Sequence, residues 1–88
     1  MLNTLEQAVI TIAKAQVQAQ AKNKKVFCIN FCDRPLDPLV IVATNAAAAK
    51  RQAGKYKKAW QIEADFFRTE EIPRKQKIDA DTLELILW

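Results

Sequence analysis

The run Val26 to Cys32, VFCINFC, is apolar on both sides of a strand. At a two-residue period Phe27, Ile29 and Phe31 share one face, while Val26, Cys28, Asn30 and Cys32 share the other. The run is short, β-branched and aromatic, and it is bounded by KNKK and DRP, both strand-ending signals. A strand with two apolar faces belongs at the centre of a sheet covered on each side, or turns one face into an interface. Every other element has to supply that cover.

Thr4 to about Lys22 reads as a first helix. Thr4 can cap it, with Gln7 completing a capping box. Leu5, Ala8, Val9, Ile12, Ala15 and Ala19 form a loose apolar stripe, leaving Gln7, Lys14, Gln18 and Lys22 for solvent. KNKK closes the helix, its cations near the negative end of the dipole and Asn23 suited to a left-handed cap. Asp33 to Pro38, DRPLDP, reads as a turn, because its prolines disfavour continued pairing. Leu39 to Ala43 returns as a second strand, antiparallel to the first, and Thr44 and Asn45 offer cap chemistry for a second helix. From Trp60 to Thr69 the period changes to alternation, a third strand with Glu63 and Asp65 on its wet face. Pro73 closes it. The tail IDADTLELILW favours a short helix capped by Asp79 and stapled by Ile78 onto Leu83, although Leu83, Leu85 and Leu87 also alternate as a strand would.

The order is α-β-β-α-β plus a short C-terminal element. It predicts a small single α+β domain over residues 1–88, with a mainly antiparallel three- or four-stranded sheet packed by two helices. The connection from Leu39 to Phe66 is also long enough for a parallel crossover. No run approaches the roughly twenty apolar residues of a membrane span, and the N-terminus lacks the basic leader of a secretory signal, so the expectation is a cytoplasmic protein.

Catalytic chemistry finds few materials. The chain has no His and no Ser, which removes Ser-His and Cys-His nucleophile systems, and its one Gly, Gly54, excludes a glycine-rich phosphate loop. Cys28 and Cys32 on an extended strand lie about 13 Å apart, too far for a disulfide, and with no third Cys they make no metal site. The acidic pairs Glu63 and Asp65, Glu70 and Glu71, and Asp79 and Asp81 read as solvated faces or helix starts. A non-enzymatic chain with no cofactor, no metal and no small-molecule substrate is expected.

Charge points elsewhere. Up to Lys58 the chain carries ten basic residues against three acidic ones; from Ala59 it carries four basic against seven acidic. The basic half culminates in TNAAAAKRQAGKYKKAW, Thr44 to Trp60. On a helical period Ala49, Ala53, Tyr56 and Trp60 fall on one narrow face, while Lys50, Arg51, Lys55, Lys57 and Lys58 fan over the other. Tyr56 and Trp60 are expected in the core and the cations in water. With Lys24 and Lys25 from the preceding loop, these cations suit an anionic partner, most simply the backbone of DNA or RNA. Lysine outnumbers arginine on the helix, which favours phosphate contact over bidentate base reading. A helix buried on one side also has to show polar residues on the other, and lysine is a common choice.

The alternative is a protein-interaction module, inhibitory or regulatory and able to form a homodimer. Phe67 falls out of phase on the polar face of the third strand, and Leu85, Leu87 and Trp88 crowd the chain end. These residues would form the partner interface.

Overall fold

A computed structural model describes residues 4–31, 34–59, 61 and 66–87, the side chains of Thr4, Phe31, residues 34–37, Phe66 and Phe67 excepted. The elements are α1 (Thr4–Lys22), β1 (Lys25–Phe31), β2 (Arg34–Ala43), α2 (Ala46–Ala59), β3 (Phe66–Ile72) and α3 (Ala80–Leu87). The sheet is antiparallel with strand order β2-β1-β3. The α+β class and the order expected from the pattern hold, with three strands and a third helix.

β1 is the central strand, and its two faces serve two cores. Val26 and Cys28 lie with Ala8, Ile12, Ala15 and Ala19 of α1, Ile72 of β3, and Ile78, Leu83 and Leu87 at α3. Phe27 and Ile29 lie on the other face with Ile41 and Ala43 of β2 and Ala49 and Ala53 of α2. Cover on each side, demanded by the sequence of β1, is therefore met by α1 and α3 below and α2 above. Because β2 and β3 both run antiparallel to β1, they run parallel to each other, and α2 is the connection that crosses between them.

Local chemistry sets the element ends. Asn23 adopts φ 53°, a left-handed cap, and the N–H of Lys24 returns to the carbonyl of Ala19 at 2.8 Å. At the start of α2 the Asn45 Oδ1 accepts the N–H of Ala48 at 2.9 Å, and at α3 the Asp79 Oδ1 accepts the N–H of Thr82 at 2.8 Å. The backbone N–H of Thr82, joined by a hydrogen bond from its side chain, holds the Asp79 carboxyl below its ordinary 3.8. The tail is thus a helix, and Ile78 shares a core with Leu83 as the staple requires. The capping role expected of Thr4 falls on a side chain outside those described.

Two boundaries differ from the sequence reading. From Arg34 to Pro38 the expected turn is strand: β2 already begins at Arg34, opposite Phe31, while Asp33 lies outside the described residues. Proline is tolerated because β2 is an edge strand, where a missing donor need not break a ladder. The third strand, described over Phe66–Ile72, runs on past Thr69; the alternation at 62–65, with Glu63 and Asp65, lies outside the described residues, as does Trp60. β3 carries its charges because it too is an edge. Glu71 pairs with Lys25 at 3.6 Å, and Glu70 with the Nε of Arg68 at 3.5 Å.

A polar strap holds α3 in place. Gln16, nearly buried on α1, donates through Nε2 to the carbonyls of Pro73 at 2.6 Å and Gln76 at 2.7 Å. One turn on, Gln20 donates to the carbonyl of Arg74 at 2.8 Å. From β3, Arg68 Nη1 donates to the carbonyl of Ile86 at 2.8 Å, a cation at the negative end of α3. No described helix is long and apolar enough to cross a membrane.

Candidate anion-binding surface

α2 places its cations by the period of the helix and the size of two alanines. Ala49 and Ala53 are fully buried against the sheet. Opposite them Arg51, Lys55 and Lys58 lie within about 60° of one another and rise about 10 Å along the axis. All three are exposed, and no described carboxylate forms an ion pair with them; Lys50, on the flank, is likewise exposed. The carboxylates of Glu70 and Glu71 are engaged by Arg68 and Lys25 on β3 and β1.

The remaining expected members separate from this ridge. Lys57 is half-buried, continuing the line of Ala49 and Ala53 rather than the solvent face. Lys25 is opposite Ala43 in the sheet, so Lys24 and Lys25 stand at the beginning of α2, about 18 Å along the axis from Lys58. Lys25 is also engaged by Glu71. Tyr56 corrects the expectation of a core aromatic, since it is 42% exposed. Its helical angle is close to that of Ala49, but it lines an open groove beside Val40, Ile41 and Val42 of β2, an edge strand.

The expected interface residues also divide. Leu87 is fully buried in the core with Leu83, so it offers no partner surface, whereas Leu85 is 80% exposed on α3. The side chain of Phe67 and all of Trp88 lie outside the described residues. Cys28 is buried and free, and burial, with Glu70 opposite it on β3, pushes its thiol up to about 12. It is a packing residue, not a nucleophile. Among the described residues no group of three metal-ligating side chains comes together.

A second surface was not evident in the pattern. At the outer edge of β2, Lys14, Gln18 and Lys22 of α1 face Gln52 and Tyr56 of α2 across a groove of about 420 Å³ floored by Val40, Ile41 and Val42. Beside it, Gln52, Lys55, Tyr56 and Ala59 frame a shallower hollow of about 300 Å³. The sequence signal was the four-residue repeat of Lys14, Gln18 and Lys22, which alone reads as a solvated helix face. Comparison with protein-family models, curated proteins and solved structures finds no match, so neither surface inherits a role.

Proposed function

We propose that this chain is a non-enzymatic binding module that holds an anionic partner, most simply a nucleic-acid backbone, on the outer face of α2. One observation carries the reading: Arg51, Lys55 and Lys58 form an exposed ridge without carboxylate partners among the described residues. A ridge about 10 Å long matches roughly three phosphates at the 3.4 Å rise of one strand. Such contacts confer affinity and salt dependence without reading bases. Lys50 extends the surface, while Lys57, Lys24 and Lys25 stand apart from the ridge.

The test is fluorescence anisotropy of labelled duplex and single-stranded oligonucleotides over a salt series. Three phosphate contacts give a slope of log K against log salt of about −2.7 on duplex, falling below about −1 in magnitude after Lys55→Glu with Lys58→Glu. No binding at low salt, or binding unchanged by those substitutions, removes the proposal.

The second reading, a regulatory or self-associating protein-binding module, rests on exposed Leu85. A single exposed leucine is ordinary on protein surfaces, so this reading carries less.

A further inference from the structure

The groove beside β2 is bounded by unused backbone. Among the described residues β2 pairs with β1 alone, so every second residue of Leu39–Ala43 turns its N–H and C=O away from the sheet. Such an edge invites another strand, and proteins commonly blunt it with proline or charge. Here Pro35 and Pro38 remove donors from the first half of β2, but Leu39 to Ala43 contains neither proline nor charge. Its open stretch coincides with the groove floor.

We propose that this groove is a docking site for an extended peptide that joins the sheet as a fourth strand beside Leu39–Ala43, alternating acidic with apolar side chains. Charge selects the acidic positions. Lys14 and Lys22 line the α1 side, and no described carboxylate lines the groove. Spacing selects the alternation. Lys14, Gln18 and Lys22 repeat every four helical residues, about 6 Å, close to the 6.4–6.8 Å repeat of same-face residues on a strand. The intervening side chains turn to the α2 side, where Tyr56 and Ala59 offer apolar surface bordered by Gln52 and Lys55.

Two other occupants fit less well. A second copy entering by its own β2 would bring Lys14 and Lys22 against their symmetry equivalents, placing like charges together. A nucleic-acid strand satisfies the lysines but has no peptide ladder to offer the backbone of β2. The groove adjoins the α2 ridge at Lys55, but Lys14 and Lys22 belong to the groove alone, so either proposal can fail by itself.

The test uses the isotope-labelled full chain and a fluorescein-labelled peptide of alternating glutamate and valine. Binding with slowed amide exchange at alternate residues of Leu39–Ala43 is the expected result. Lys14→Glu with Lys22→Glu, both at exposed helical positions, should weaken it about tenfold. N-methylating the peptide at alternate residues, which leaves the protein untouched, should abolish it. Equal affinity for a peptide with its glutamates and valines in separate blocks would overturn the proposal, as would an unprotected β2 edge. Protection of the same amides by an oligonucleotide instead would assign the groove to nucleic acid and overturn it equally.

Discussion

Gln16 is the side chain through which α1 grips the chain leading into α3, and its removal has a calculable cost. Its Nε2 donates to the carbonyls of Pro73 and Gln76 at 2.6 and 2.7 Å from a nearly buried position. Gln16→Met keeps the length and apolar stem but deletes both bonds. Each contributes about 0.5–1.5 kcal/mol net, so the loss should be roughly 1–3 kcal/mol against a total of about 5–15 kcal/mol for a typical domain. Gln16→Glu is harsher at neutral pH, because an ionised carboxylate only accepts and would confront two carbonyl oxygens. Its folded-state pKa must then rise above the unfolded value of about 4.3. A raised carboxyl pKa makes the folded state most favourable below the unfolded value, and that stability is lost as pH rises through the folded one. Urea unfolding followed by circular dichroism at pH 4 and pH 7, each referred to the wild type, reads both effects. If Gln16→Met leaves the midpoint unchanged, or the deficit of Gln16→Glu does not shrink at pH 4, the strap is not holding α3.

Two further outcomes follow from the titrating groups. With its thiol pushed up to about 12 and buried, Cys28 in a Cys32→Ala background should resist Ellman's reagent at pH 8 until denaturant is added; labelling within minutes of the native protein would show β1 opening far more readily than its packing implies. Asp79 has a lowered folded pKa, so its share of stability is present above the ordinary carboxyl value and disappears as pH falls through the folded one. The thermal midpoint of wild type relative to Asp79→Asn should therefore decline below about pH 4, and a difference constant down to pH 2 would refute the capping assignment.

Periodicity revealed those parts of the fold whose environment is uniform along their length. α1 and β1 read correctly because the stripe of Ala8, Ile12, Ala15 and Ala19 and the double face of Val26–Ile29 each meet continuous cover. Caps at Asn45 and Asp79 were legible because they act within a turn of chain. Reading failed at the edges of the sheet. Pro35 and Pro38 signal a turn by local rules, and only the strand order reveals that the edge can absorb them. Alternation ends the third strand at Thr69, yet it runs on through Glu70 and Glu71, whose carboxylates are held by Arg68 on the same strand and Lys25 on β1. Tyr56 occupies a helical angle that would be interior above a wider sheet and is peripheral above this one. The lysine ridge was visible from spacing alone, whereas the groove required α1 and α2, over twenty residues apart, to meet around one strand.

The two-sided burial of β1 leaves that strand a poor judge of its own alignment. In most sheets a slip by one residue drives polar groups inward and is rejected at once. Here Val26, Cys28, Phe27 and Ile29 would simply exchange cores, each moving from one apolar layer to the other. What forbids the shift is bulk, since Phe27 would have to fit where Cys28 now sits, together with the irregularity near Phe31 that interrupts both ladders. Correct threading of the most hydrophobic strand is thus enforced by its neighbours, and misaligned pairing is the failure to expect when they are weakened.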